Sequence, residues 1–261
     1  MDLYDRVVII TGASMGIGAS TAREFAKAGA RVVLAARSAE KLTALAHELG
    51  EGRALAVPTD VTVRAQVDAL MQKAVDHFGQ IDILVNNAGV GLAGSIAMTN
   101  TANLERTLAV NLLGPLYAIQ AVVPYLRERG GGIIINVSSM VTKLTIPTIG
   151  GYRASKLALN AVSDNARLEL ARENIRVITV YPNATASDFF ANTLDGTTAR
   201  QEMAGRGMQM QPPEHVARKI VQGARKEPRE VFMSGGNRVF GLIGTLMPTM
   251  FERMMAGRSR R

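Results

Sequence analysis

Cysteine is absent from the 261 residues. Disulfides, thiolate metal sites and a cysteine nucleophile are thereby excluded, while the redox compartment stays open and no metal is expected. Long hydrophobic runs are also scarce near the C-terminus. There the longest uncharged apolar stretch, Val239–Phe251, is 13 residues broken by Gly241, Gly244 and Pro248, short of the roughly 20 a spanning helix needs. Linkers, low-complexity tracts and internal repeats are missing too, so 1–261 reads as one domain. The opening Met1–Arg6 carries two acids where a signal peptide would be basic, so a cytoplasmic location without export is expected.

Negative charge is in short supply only locally. The chain holds 30 basic and 22 acidic residues, but residues 1–199 hold 18 and 17 of them, whereas 200–261 hold 12 and 5. A basic end thus follows a near-neutral body with no basic stripe, and nucleic-acid binding is not expected. The composition, 47% hydrophobic and 20% charged with 25 Gly and 9 Pro, excludes disordered, collagen-like and coiled-coil chains.

Short apolar, β-branched runs at Val7–Thr11, Arg31–Ala35, Ala54–Pro58, Ile83–Asn86, Ile133–Val137 and Val177–Tyr181 alternate with segments of helical period. Those segments are Gly16–Gly29, Ala39–Leu49, Val63–Phe78, Asn103–Arg129 and Tyr152–Arg172. Strands apolar throughout are buried on both faces, and each parallel pairing needs a crossover helix. The pattern predicts an α/β fold, a Rossmann-type doubly wound parallel sheet with helices on both faces. The stretch 193–213 reads as an insertion.

After the first strand comes Thr11-Gly12-Ala13-Ser14-Met15-Gly16-Ile17-Gly18, leading directly into a helix. Glycines permit a tight turn and close backbone approach to a pyrophosphate, whose charge the free N–H groups of the helix stabilise. Gly12, Ser14, Gly16, Ile17 and Gly18 are therefore expected to bind a dinucleotide; an ordinary Gly-rich turn is the alternative. At the end of the second strand, Ala35-Ala36-Arg37-Ser38 lacks the carboxylate that would bond a ribose 2′-hydroxyl. Arg37 offers a donor fork suited to a 2′-phosphate, so NADP(H) is favoured over NAD(H) unless Arg37 is only a solvated charge. Tyr152-Arg-Ala-Ser-Lys156 puts a phenol and an ammonium four residues apart on one helix face. An adjacent ammonium favours phenolate and is expected to lower the tyrosine pKa, fitting Tyr152 for proton transfer. A chance surface pair is the competing reading, but Val137-Ser138-Ser139 ends a strand where ligands bind such sheets.

Together these residues resemble the short-chain dehydrogenase/reductase family, single-domain branch, over about residues 5–190. The resemblance rests on TGxxxGxG at Thr11–Gly18, Asp60-Val61, Asn86-Asn87-Ala88-Gly89, Asn111, Ser139 placed 13 residues before the tyrosine, and YxxxK at Tyr152–Lys156. It implies that Ser139 holds the substrate oxygen and that Tyr152 exchanges its proton. It also implies that Lys156 binds the nicotinamide ribose and that Asn111 holds a water linking Lys156 to solvent. Asp60 and Val61 would contact the adenine, and Asn87, Ala88 and Gly89 would line the cofactor; for Asn86, a strand-end side chain satisfying backbone is at least as good a reading. Where the family has Pro-Gly-x-x-x-Thr, this chain has Pro182-Asn183-Ala184-Thr185-Ala186-Ser187. Asparagine tolerates left-handed backbone and serine keeps the hydroxyl, so Pro182, Thr185 and Ser187 are expected to contact the nicotinamide end.

Leu92, Met98, Met140, Leu144, Ile146, Phe189 and Phe190 lie on loops near the reaction centre and favour an apolar carbonyl or alcohol substrate, unless they pack in the core. Residues 188–212 read as a substrate lid. The leading expectation is an NADP(H)-dependent carbonyl reductase or alcohol dehydrogenase, a homo-oligomer by resemblance. The alternatives are a catalytically idle NADP(H)-binding regulator, which would more naturally have lost Tyr152 or Lys156, and a membrane-associated reductase of lipid-like substrates. For the last, the apolar Val239–Met255 and its following arginines within 238–261 read as an interfacial anchor, or else as an oligomer interface or core-covering helix.

Overall fold

The computed structural model describes residues 1–186, 189, 193–195, 210–247 and 249. One sheet organises them, in the order β3-β2-β1-β4-β5-β6-β7, with every pairing parallel. The strands are β1 (Val7–Thr11), β2 (Arg31–Ala36), β3 (Ala54–Pro58), β4 (Ile83–Asn86), β5 (Gly132–Val137), β6 (Ile175–Tyr181) and β7 (Glu230–Phe232). The helices between them are α1 (Gly16–Lys27), α2 (Ala39–Leu49), α3 (Arg64–Phe78), α4 (Thr101–Leu108), α5 (Gly114–Glu128), α6 (Gly150–Glu169), α7 (Pro213–Lys226) and α8 (Gly235–Leu246).

The all-apolar strands serve two cores at once, because successive side chains leave a strand on opposite faces. Val8 and Ile10 of β1 join Val32 and Leu34 under α1, α2 and α7. Their neighbours Val7 and Ile9 join Val33 and Ala35 under α3, α5 and α6. Every residue of β1 is buried. A polar substitution in β1 would therefore have no face on which to reach water. The chain winds outward from β1 in one direction and from β4 in the other, leaving a crevice at the carboxyl ends of these neighbours, where ligands settle in such sheets.

Two differences from the sequence pattern have physical causes. The predicted central helix is interrupted at Ala109–Leu113 by a π-helical turn centred on buried Asn111. Such turns accommodate a residue that the regular ladder would misdirect. The strand β7 and the helices α7 and α8 follow the segment read as an insertion. With three residues β7 is too short to carry a period, whereas α7 carries a clear one, Val216, Ile220 and Ala224 buried beneath a basic outer face, that the sequence reading passed over. The run Thr101–Glu128 is long and apolar enough to cross a membrane by length and composition. Its apolar residues Ala118, Val122 and Leu126 instead complete the second core.

Candidate active site

The turn after β1 is held open by its glycines. Gly12 and Gly16 have φ of 67° and 54°, a region costly for other residues. A Cβ on Gly18 would lie 2.1 Å from the Gly12 carbonyl oxygen. No side chain caps the N-terminus of α1, so its first N–H groups remain available to an anion. Ser14 and Gly16 line a cleft of about 400 Å³ that also touches Ala186 and Glu214. Beside it, the amides of Asn87 and Ala88 both donate to Thr11 Oγ1 at 3.0 Å, and Asn87 Nδ2 donates to the Thr11 carbonyl at 2.9 Å. Asn87 thus ties β1 to β4. This cradle of free amides and close-packed backbone fits a dinucleotide pyrophosphate.

At the far end of β2, Arg37 is exposed, and among the described residues no hydrogen bond or ion pair fixes it. It does feel the carboxylate of Asp60. Burial alone would raise that carboxyl, but Thr62, donating from N at 2.9 Å and from Oγ1 at 2.7 Å, with Arg37 and Arg106 nearby, holds it below its usual range. Arg106, on α4, escaped sequence reasoning because only the fold brings it to the end of β3. Val61 is buried against Gly114.

Ser139, Tyr152 and Lys156 converge at the carboxyl edge of β5. Ser139 leads a one-turn helix, Met140–Lys143, and its Oγ accepts from Val141 N at 3.3 Å. Tyr152 lies in the first turn of α6, two residues later than the helix start, and its phenol feels the Ser139 hydroxyl. Burial pushes its phenol up to about 12, and the Ser139 hydroxyl offsets only part of this. This corrects the expected lowering by Lys156. Lys156 donates to the Val137 carbonyl at 2.9 Å, and burial pulls it down to about 8; burial of the phenol is the larger influence on Tyr152. The Phe189 ring meets that of Tyr152 edge-on at 5.5 Å.

Asn111 is committed to protein. Its Nδ2 donates to the Val90 carbonyl at 2.9 Å and to Ser155 Oγ at 3.0 Å, while its Oδ1 accepts from Val90 N at 2.9 Å. A Cβ on Gly89 would sit 3.2 Å from Asn111 Oδ1 and 3.5 Å from Lys156 Nζ. An alanine there would press Asn111 Oδ1 back by a few tenths of an ångström and touch Lys156 at ordinary contact distance. Asn86 bonds a side chain rather than backbone: its Nδ2 donates to Asn136 Oδ1 at 2.9 Å, and Asn136 Nδ2 donates to Ser163 Oγ at 2.8 Å. Ser155, Asn136 and Ser163 were missed, although an asparagine inside an all-apolar strand is a visible signal that a buried partner exists.

The loop after β6 is placed differently from expectation. Asn183 does not take up a left-handed backbone; its Nδ2 donates to Asn237 Oδ1 at 3.2 Å. Pro182 accepts from Met140 N at 2.9 Å. Thr185 is buried, donating to the Asn183 carbonyl at 2.9 Å and accepting from Gln211 Nε2 at 3.2 Å. Ser187, Phe190 and most of the 188–212 segment lie outside the described residues. Of the apolar loop side chains, Leu92 and Met140 are buried in packing and Met98 points to solvent, leaving Leu144, Ile146 and Phe189 partly accessible.

Residues 6–197 match the model of the short chain dehydrogenase family. The chain belongs to that family. The glycine betaine reductase of Emericella nidulans is 36% identical over 234 residues, 89% of this chain but 18% of that much longer enzyme. The 3-ketoacyl-(acyl-carrier-protein) reductase of Brucella melitensis, solved with NADH, superposes with a TM-score of 0.80 at 28% identity, covering 90% of this chain and 99% of that one. The alcohol dehydrogenase of Thermococcus sibiricus, solved with 5-hydroxy-NADP, gives 0.75 at 27%, covering 87% and 95%. This short-chain dehydrogenase is an oxidoreductase on a Rossmann nucleotide-binding fold. The two solved relatives share the nicotinamide cofactor class but not the 2′-phosphate.

Proposed function

We propose that this short-chain dehydrogenase reduces an apolar carbonyl compound with NADPH, Tyr152 supplying the proton. The gathering of Ser139, of a buried Tyr152 phenol that Ser139 influences, and of buried Lys156, bonded to the Val137 carbonyl, at one edge of the sheet carries the reading. Negative charge grows on a carbonyl oxygen as it is reduced, so donors must already face it. Ser139 and Tyr152 present two hydroxyls from rigid elements. A phenol near 12 is fully protonated at neutral pH, which suits donation in reduction more than proton removal in alcohol oxidation. Lys156, at about 8, stays largely cationic below that pH and would meet the ribose hydroxyls. The nicotinamide, when bound, supplies the hydride.

Gly12, Ser14, Gly16, Ile17 and Gly18 would hold the pyrophosphate, and Asp60 and Val61 would flank the adenine. Asn87, Ala88, Gly89, Pro182, Thr185 and Ser187 would line the remainder. Arg37 would grip the 2′-phosphate, supported by its exposure and by the absence of a carboxylate at positions 35–38. Asn111 would set the loop at Val90 and Ser155 beside Lys156. A single cytoplasmic domain, working as a homo-oligomer with residues 188–212 closing over substrate, completes the proposal, and a peripheral membrane contact belongs to it.

The test is NADPH and NADH oxidation with diketones, quinones and 3-oxoacyl thioesters. Tyr152→Phe should lose roughly 10²–10⁴-fold in kcat, the usual worth of a positioned acid. Arg37→Ala should raise the KM for NADPH about tenfold and leave NADH unchanged, as loss of one phosphate bond worth about 1.4 kcal/mol requires. Equal rates for wild type and Tyr152→Phe would sink the mechanism.

A further inference from the structure

Ser139 and Tyr152 stand on separate elements, yet both hydroxyls must meet one substrate oxygen. Ser139 caps the one-turn helix Met140–Lys143, whereas Tyr152 belongs to α6. A helix of one turn has few hydrogen bonds of its own, so outside contacts decide where it sits. Here they come from three sides. The Pro182 carbonyl accepts from Met140 N at 2.9 Å. Helix α8 presses its backbone on the turn, where a Cβ on Gly244 would lie 2.7 Å from the Lys143 carbonyl, and so leaves its apolar Val239, Leu242 and Leu246 exposed. From the third side Arg153 Nε, on α6, donates to the Val141 carbonyl at 3.1 Å. Among the described residues it is the one hydrogen bond from α6 to residues 140–143.

Arg153 directly follows Tyr152, so the helix that carries the phenol also grips the turn that Ser139 caps. The grip is passed on. Val141, whose carbonyl Arg153 holds, donates its own N–H to Ser139 Oγ at 3.3 Å, and Thr142 Oγ1 donates to the Ser139 carbonyl at 2.8 Å. A hydroxyl that accepts from the turn keeps its single proton for another partner, which is what a growing oxyanion requires. A guanidinium donor is stronger than a neutral one, and hydrogen bonds in a chain polarise one another. We infer that Arg153 is a positioning residue: through Val141 it sets the Ser139 hydroxyl opposite the Tyr152 phenol.

The inference rests on the roles proposed above for Ser139 and Tyr152. Arg153 is half-buried, and among the described residues no carboxylate pairs with it, so the bond to Val141 is what fixes its side chain. An arginine that merely steadied a loop would add stability and leave the reaction alone. Only Nε is engaged, rather than the whole guanidinium fork, so a lysine should serve here where it would fail at a bidentate site. Methionine keeps much of the apolar stem and removes the donor.

The deciding measurement is a double-mutant cycle on carbonyl reduction by NADPH with Arg153→Met, Ser139→Ala and the pair, kcat being taken per folded molecule. Arg153→Met should lose about tenfold in kcat, within the usual coupling of residues in one hydrogen-bonded network, and keep its KM for NADPH. In the Ser139→Ala background the same substitution should cost less than about twofold, because the group it positions is gone. Arg153→Lys should stay within about threefold of wild type. Arg153→Ala repeats the cycle if Arg153→Met folds poorly. Equal losses in the two backgrounds, wild-type kcat in Arg153→Met, or an Arg153→Lys protein no better than Arg153→Met overturns the inference and leaves the role of Ser139 standing. Wild-type kcat in Ser139→Ala overturns the catalytic reading itself, and the inference with it, so the two failures are told apart.

Discussion

At the amino edge of the sheet, Asp82 is 2% exposed and both its carboxylate oxygens are engaged. Oδ1 accepts from Arg6 at 2.8 Å with Arg129 at 3.5 Å, and Oδ2 accepts from Val7 N at 2.9 Å and Gln80 Nε2 at 2.8 Å. At the carboxyl edge the polar groups are less comfortable. Lys156 is buried with its ammonium bonded to one carbonyl, the Tyr152 phenol is buried, and Ser138 Oγ has no hydrogen-bond partner among the described residues. A parallel sheet gathers its βα turns at one end, so binding and chemistry collect there while the other end is free to be optimised for stability. The contrast predicts that damage at the two edges reads out differently.

The largest effect is expected from Asp82→Ala. It strands the buried Val7 N–H and removes charge-assisted bonds to Arg6 and Gln80, together worth about 3 kcal/mol, while Arg6 and Arg129 can turn to water. Urea denaturation should show that loss, while kcat per folded molecule stays at the wild-type value because Asp82 is at the opposite end from Tyr152. A fall in kcat with unchanged stability would break the comparison.

Lys156→Met should do the reverse, losing activity while gaining stability at neutral pH. An unfolded lysine keeps its proton up to about 10.5, whereas in the folded protein burial pulls it down to about 8. Below pH 8 the native state bears the full cost of a buried ammonium. Between pH 8 and 10.5 the unfolded state binds more protons, so wild-type stability rises with pH. The shift corresponds to about 3 kcal/mol at about 1.4 kcal/mol per unit. Denaturation without cofactor from about pH 7 to pH 10 should therefore show the wild type gaining on Lys156→Met by most of that amount. Tyr152 is present in both proteins and cancels. Parallel curves would show that Lys156 is not buried at a cost.

Most of the first six strands and five helices could be read from the sequence, because strands buried on both faces are apolar without interruption and the crossover helices keep their period. The glycine turn was equally legible, since positive φ and a 2.1 Å backbone approach at Gly18 admit no other residue. What escaped depends on contacts distant in sequence. The π turn at Asn111 exists to serve Val90 and Ser155, 21 and 44 residues away. The sense of the Tyr152 shift was misjudged because spacing reports a nearby ammonium but not the burial that outweighs it. Helix α8 shows the same limit: its period was visible as apolarity, and its outward orientation follows only from the glycine contacts with Lys143.

The smallest effect sharpens the contrast between neighbours. Ser138 and Ser139 are both buried at the end of β5, but Ser139 Oγ is bonded and Ser138 Oγ is not. A buried hydroxyl without a partner carries a desolvation cost that alanine removes at little loss of packing. Ser138→Ala should raise stability by about 1 kcal/mol in urea and leave KM and kcat near wild type, whereas Ser139→Ala should depress kcat with little change in stability. A destabilised Ser138→Ala protein with lowered kcat would mean that Ser138, too, faces the reacting oxygen, and that the strain at this edge extends one residue further along β5 than the hydrogen bonds indicate.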